Sequence, residues 1–353
     1  MAIGILSSGK LGQVSSGNVL GIDSTNRIVE VPSTNPYVLD ILPSGMIGEV
    51  STALTSLSGT VTSISYTGSP GARAANSLTY LNGKVYMYGG ANGPTGSAAQ
   101  MWVYDVATQA WTLEATRTGY ERVAHIQFTD GSKIYIMGGR DGGGYYVSTV
   151  FAYDPVAMTF TDLAPIPYGY SQAATGAYCD GTWAYVCLPP PDSLTTFQTF
   201  AYRLSDGAYG ATGNSTGGVW GGALARTSDG NLWIVGGNVR SGGTSYQVQK
   251  YKYTSGAAPT YVYVYLTELH AFGQNGAVAI GTDVYYWGGK DGTTYNDRIM
   301  KYDTIAGTFS LVAYWNPSYI FNFGTCQLPD NSALTYGGED NYANISSTLY
   351  HIT

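Results

Sequence analysis

Five stretches of the chain share one pattern: a short apolar and aromatic run that ends in two glycines. They are Val85-Tyr86-Met87-Tyr88-Gly89-Gly90, Ile134-Tyr135-Ile136-Met137-Gly138-Gly139, Leu232-Trp233-Ile234-Val235-Gly236-Gly237, Val284-Tyr285-Tyr286-Trp287-Gly288-Gly289 and Ala333-Leu334-Thr335-Tyr336-Gly337-Gly338. Each reads as a β-strand running into a sharp turn. The first glycines lie at 89, 138, 236, 288 and 337, at intervals of 49, 98, 52 and 49. Because 98 is twice 49, a further copy is expected at 187, where Trp183-Ala184-Tyr185-Val186-Cys187-Leu188 keeps the strand and loses the glycines. A period of this size signals a repeat architecture.

Two further markers keep the same period. Tyrosines recur at Tyr104, Tyr153, Tyr202, Tyr251, Tyr302 and Tyr350, the first, second and fifth followed by aspartate, the third and fourth by Arg203 and Lys252. Seven residues later come Trp111, Phe160, Tyr209 and Phe309, with Ala258 breaking the series. Six repeats result. Each reads as four strands; in the second they fall near 124–128, 133–137, 149–153 and 160–163, with Asp130-Gly131 in the first turn. Asp-Gly suits such hairpins because glycine accepts positive φ. Four-stranded units repeated six times make a β-propeller.

The glycine pair, the Tyr-Asp and the trailing aromatic resemble the kelch repeat, so residues from about 60 to 353 resemble a six-bladed kelch propeller, an all-β fold. The chain stops at the third strand of the sixth repeat. Counting back from Gly89 places the missing fourth strand at 62–66, where an N-terminal strand would close the ring and leave no bare edge.

The repeat is absent from residues 1–43, where short apolar runs alternate with Ser/Gly/Asn turns; this reads as an attachment segment too small to bury its own core. Residues 44–59 form a connector in which Ile47, Val50, Leu54, Leu57 and, just beyond it, Val61 are separated by 3, 4, 3 and 4. That is coiled-coil spacing over about two heptads. The expectation is a short helix that either trimerises the chain or packs on the propeller.

Composition narrows the function. Charged residues are 11% and net charge is −7, so no basic stripe serves nucleic acid. No run approaches the roughly 20 apolar residues of a membrane span, and the N-terminus lacks the basic start and apolar core of a signal peptide. Cys179, Cys187 and Cys326 are too few and too separated for a disulfide framework or metal knuckle, and read as small buried side chains.

If the strands alternate, the 2–3 and 4–1 connections share one end of the ring and the short 1–2 and 3–4 turns the other. The first set is long and aromatic, and loops on a rigid scaffold carry function. The candidate binding residues on that face are Tyr120, Arg140, Asp141, Tyr145, Tyr146, Tyr168, Tyr170, Arg240, Tyr246, Lys290, Asp291, Tyr295, Tyr319, Asp340 and Tyr342. Tyrosines among small polar residues suit adaptable recognition of a protein or glycan; they can equally cover blade edges. Asn92, Asp141, Asp291 and Asp340 follow the glycines and read as turn formers rather than as a ring of cation ligands. His125, His270 and His351 sit in different repeats without metal spacing, no nucleophile elbow is present, and no cofactor is implied.

The run Leu54 to Ile64 is similar to Ser/Thr/Leu segments of bacteriophage fibre and other appendage proteins. With no signal peptide and a neutral Gly/Ser/Tyr-rich exterior, the resemblance implies a virion structural protein: residues 1–58 bind other virion proteins, and the propeller meets a host-surface glycan or protein. The alternatives are a bacterial kelch protein-interaction module and a sugar-modifying kelch enzyme such as an epimerase.

Overall fold

The computed structural model describes residues 56–92, 96–166, 176–188, 196–210, 213–216, 219–236, 248–262, 275–291, 294–315, 320–340 and 342–353, with short strands at 3–5, 11–13, 18–22, 28–32, 37–41, 47–51, 238–239 and 243–244. Six four-stranded antiparallel sheets follow one another along the chain. Their innermost strands are Ser77–Leu81, Ile126–Thr129, Gly176–Cys179, Ala223–Arg226, Gly276–Ile280 and Gly324–Gln327, and these touch one another in ring order, the sixth against the first. This is a closed six-bladed β-propeller.

The second strands explain why the apolar runs are continuous. Alternate residues of a strand point to opposite faces, and here each face meets another blade. Val85 and Met87 enter the cluster shared with blade six, whereas Tyr86 and Tyr88 enter the one shared with blade two. Every junction between neighbouring blades holds such a cluster.

Blade six is completed by Val61–Ile64, which pairs antiparallel with Leu349–Ile352, Val61 opposite Ile352 and Ile64 opposite Leu349. Gly59 and Thr60 donate backbone N–H groups to the Thr353 carbonyl at 2.9 and 3.2 Å. The register differs slightly from the count along the sequence. Ile352, not Tyr350, pairs with Ala333 as Tyr153 pairs with Ile134. Val61, not Thr62, therefore stands where Trp111 stands opposite Tyr104.

Among the described residues of 44–59 the expected helix is not formed. Residues Ile47–Ser51 make a strand that pairs with Tyr37–Ile41, and two more hairpins pair Ile3–Ile5 with Leu11–Gln13 and Asn18–Ile22 with Ile28–Pro32. The reason is local: Pro43-Ser44-Gly45 between the two strands is turn chemistry, and the β-branched Ile47 and Val50 favour extended backbone. Leu57 and Val61 are not seam residues either. Leu57, 4% exposed, packs with Tyr285, Trp287 and Trp315 at the junction of blades five and six, and Val61 packs against the same cluster. Leu54 and the side chains of Ile47 and Val50 lie outside the described residues.

Candidate functional site

The glycine pairs build the loop face. Gly89 and Gly90 both have left-handed backbone, φ 67° and 86°. Gly90 donates its N–H to the Arg122 carbonyl of the next blade at 2.8 Å; Gly338 does the same to Arg73 at 2.7 Å and Gly289 to Ile320 at 3.2 Å. A Cβ on Gly89 would lie 2.3 Å from the Arg122 oxygen, and one on Gly337 would lie 2.1 Å from the Arg73 oxygen. The missing side chains thus let the 4–1 loop of the next blade dock onto the end of the second strand in blades one, five and six.

The same glycines make room for a wedge. The residue just before an innermost strand fits between the pairs of adjacent blades: His125 against Gly89 and Gly139, Asn76 against Gly90 and Gly337, Phe323 against Gly288 and Gly338. Asn76 donates from Nδ2 to the Tyr336 carbonyl at 3.3 Å, and Asn275 donates to the Val235 carbonyl at 3.2 Å, the same bond in two blades. The burial of His125, with the Arg122 charge nearby and against a smaller opposing effect of Gln127, pushes its pKa down to about 3, so the ring is neutral.

Beyond the glycines the candidate residues separate into two groups. Asp141 accepts the N–H groups of Gly143 and Tyr145, both at 2.9 Å. Asp340 accepts those of Tyr342 and Asn344 at 2.8 and 2.9 Å and the Asn344 amide at 3.0 Å, and these bonds, the Asn344 side chain first, hold its carboxyl below the usual range. Both aspartates are turn formers. The loops they fold hold Tyr145 and Tyr342 outward, 75% and 79% exposed. Tyr120, in contrast, is half-buried under the Arg117 guanidinium at 3.6 Å and packs on Phe151, ring centroids 5.6 Å apart.

Arg140, Lys290 and Glu339 each follow a glycine pair and so hold one register. Arg140 donates to the Tyr146 hydroxyl at 3.1 Å and lies 4.9 Å over its ring. Lys290 sits 5.4 Å over Tyr295 and 4.9 Å over Phe321. Burial raises the Glu339 pKa, opposed by the Lys290 charge. Asp291 lies in a two-residue strand, its side chain undescribed, and Tyr168, Tyr170, Arg240, Tyr246 and Tyr319 lie outside the described residues.

Two arginines complete the face without any motif to announce them. Arg73 bonds Gln100 at 3.1 Å and Arg122 bonds Thr149. Both pairs repeat at 49 residues, which was the available signal. They latch each 4–1 loop to the start of its own blade's third strand.

The innermost strands surround a cavity of about 360 Å³ at the centre of the ring. Its wall includes Asn76, His125 and Asn275 at the loop-face mouth. Among the described lining residues the one charged side chain, Arg226, lies at the far end of an innermost strand, where it donates to the Tyr253 hydroxyl at 3.1 Å and stacks 4.6 Å over Tyr178.

One Ser, His and Asp do meet, on the other end of the ring. Ser332 donates its hydroxyl to Asp330 at 2.6 Å, so His351 Nε2, 2.8 Å away, must donate to Ser332. A hydroxyl proton committed to a carboxylate is not being taken by the imidazole, and Ser332 is fully buried; this order does not activate a nucleophile. Among the described residues no three His, Cys, Asp or Glu side chains converge as metal ligands.

The comparisons with known proteins agree with this architecture. Residues 129–167, the second blade, match the Kelch motif. Alpha-scruin of Limulus polyphemus is 30% identical over 101 residues, 27% of this chain and 11% of that protein. Kelch-like protein 25 of Xenopus tropicalis is 28% identical over 113 residues, 30% of this chain and 19% of that one. The matches therefore span well under a quarter of either relative's length. The solved structure of YjhT superposes with a TM-score of 0.66 at 16% identity, covering 80% of this chain and 95% of that one. The chain is an all-β, six-bladed β-propeller that carries a Kelch motif in its second blade.

Proposed function

We propose that this protein is a recognition module whose 2–3 and 4–1 loop face binds a surface glycan or protein, while the N-terminal segment holds the propeller from the opposite end. One observation carries the reading. The chain joins the ring at Gly59–Val61, which in blade six takes the place that the 3–4 turn takes in the other blades. That turn is at the end of a blade opposite the 2–3 loops, so the chain enters the ring at the end away from the loop face. Tyr145 and Tyr342 stand exposed on this face, and exposed tyrosines supply large contact area at low entropic cost.

In its finer form the proposal sets the module on a bacteriophage fibre or other virion appendage, with residues 1–58 contacting other virion proteins. The similarity of residues 54–64 to appendage segments supports this, although residues from 57 onward serve the propeller itself.

The test is a glycan array and a bacterial-surface binding assay with the full chain and a Tyr145→Ala/Tyr342→Ala variant. Binding by the native chain that falls about tenfold or more in the variant, the size of a lost aromatic anchor, is the expected result. Equal binding by both removes these tyrosines from the site.

A further inference from the structure

Tyr145 differs from three other tyrosines of the loop face. Arg117 lies over the ring of Tyr120, Arg140 over that of Tyr146 and Lys290 over that of Tyr295, at 3.6, 4.9 and 5.4 Å from the centroids. Among the described residues no cation or second ring lies over Tyr145, and it is 75% exposed. Its ring is nevertheless seated. A Cβ on Gly143 would fall 2.9 and 3.0 Å from the ring's Cδ2 and Cε2, closer than carbon atoms pack.

That seat accounts for a glycine that backbone geometry does not. In the run Gly142-Gly143-Gly144 only Gly144 has a left-handed backbone, φ 80°. Gly142 and Gly143 need no such φ, and a Cβ on Gly142 would meet nothing nearer than 3.6 Å. Gly143 alone is small because Tyr145 rests on it. The turn beneath is pinned as well, since Asp141 accepts the N–H groups of Gly143 and Tyr145. A ring ordered before binding has little freedom left to lose.

The surroundings select the ligand. Residues 141–144 are one aspartate and three glycines, so the tip has no apolar side chains to build the water-excluding rim of a protein hot spot. Charges near the tip are equal in number. Arg140 and Asp141 lie in the loop, and the bridge between Val123 and Arg140 brings Glu121 and Arg122 alongside. Neither a cation nor an anion is favoured. The faces of an aromatic ring are negative, and C–H groups with slight positive charge lie well against them. A pyranose offers one face of C–H bonds within a rim of neutral hydroxyls.

We propose that Tyr145, seated on Gly143, is a stacking platform for a single pyranose ring, with Gly143 as its positioning residue. This rests on the loop face being the recognition face, and it narrows the ligand there to a glycan.

The test uses the full chain with methyl β-D-galactopyranoside, methyl α-D-glucopyranoside and methyl α-D-mannopyranoside, read by saturation-transfer NMR and titration. The critical variant is Gly143→Ala, whose added Cβ displaces the ring; Gly142→Ala, one residue away, is the control. Millimolar binding of at least one glycoside is expected from the native chain and from Gly142→Ala. It should weaken about tenfold or more in Gly143→Ala and in Tyr145→Ala, as loss of an aromatic anchor would give. The urea midpoint of Gly143→Ala should stay native, which separates positioning from folding. A fall in that midpoint would assign Gly143 to the fold and overturn its positioning role. Native-like binding by Gly143→Ala, or binding of none of the glycosides, also overturns the proposal. The loop-face reading fails separately: it survives a chain that binds no glycoside if the Tyr145→Ala/Tyr342→Ala variant still loses attachment to the bacterial surface, and the partner is then a protein.

Discussion

At the scale of single residues, Gly89 shows why the repeat is marked by glycine and not merely by small residues. An alanine there would have to hold φ at 67° and place its Cβ 2.3 Å from the Arg122 carbonyl, a backbone atom that cannot rotate aside. Gly89→Ala should therefore lose more than about 2 kcal/mol in urea unfolding, since strained φ and a backbone clash add. Gly142→Ala is the control: no left-handed φ is required, and the nearest atom to an added Cβ is Glu121 Cβ at 3.6 Å, so its change should stay within about 0.5 kcal/mol. Equal losses in the two variants would deny the glycine pair its docking role. The pair was legible as a signal, but its partner was not: the carbonyl it meets belongs to a loop some 33 residues further on (Gly89 to Arg122), and no motif in that loop names it. Asp141 and Asp340 were legible because an aspartate bonding its own turn is local chemistry. The contrast between half-buried Tyr120 and exposed Tyr145 was not, because it depends on how Tyr120's own loop folds Arg117 over the ring and on Phe151 of the next blade lying beneath it.

At the scale of elements, the second strands could be read from the sequence because both their faces are buried, which leaves four consecutive apolar residues and an unmistakable end. The stretch at 44–59 could not. Spacings of 3 and 4 over about two heptads also arise by chance along a strand followed by a loop, and Pro43-Ser44-Gly45 with two β-branched residues favoured the hairpin. The closing strand shows a milder difference, one residue of register, set by Ile352 taking the core position that tyrosine holds elsewhere. Its contribution can be measured. A chain beginning at residue 68 loses Val61–Ile64, the Tyr66 packing on Tyr336 at 6.3 Å, and Leu57 from the junction of blades five and six. It also bares the edge of Leu349–Ile352. Burying one aliphatic side chain such as Leu57 is worth about 1.5–3 kcal/mol, so the truncated chain should unfold at clearly lower urea concentration and aggregate through the open strand. A truncated chain with the native midpoint would mean that the ring does not need its N-terminal strand.

At the scale of the whole molecule, the ring has two chemically different ends, and under the proposed function the difference predicts how binding depends on orientation and salt. The 1–2 and 3–4 turns are short and held by their own aspartates: Asp154 and Asp303 each accept two backbone N–H groups, which hold both carboxyls below their usual range. The chain enters the ring at this end, through Gly59–Val61. The loop end instead presents tyrosines, with Arg140 and Lys290 stacked on aromatic rings. A protein coupled to a surface through its N-terminus should therefore keep its full binding capacity for a surface glycan or protein, whereas coupling through a cysteine placed at Gly144, beside Tyr145, should block it. With the contact made, as proposed, by neutral rings and hydroxyls, affinity should change by no more than about threefold between 50 and 500 mM salt; contacts built from exposed charge pairs weaken steadily as screening lengths shrink over that range. Surface plasmon resonance in both orientations and at both salt concentrations reads the two predictions separately. Capacity retained through Gly144 coupling would place the binding face elsewhere on the ring. A steep fall with salt would leave the face in place but transfer recognition from the tyrosines to the charged register of Arg140, Lys290 and Glu339.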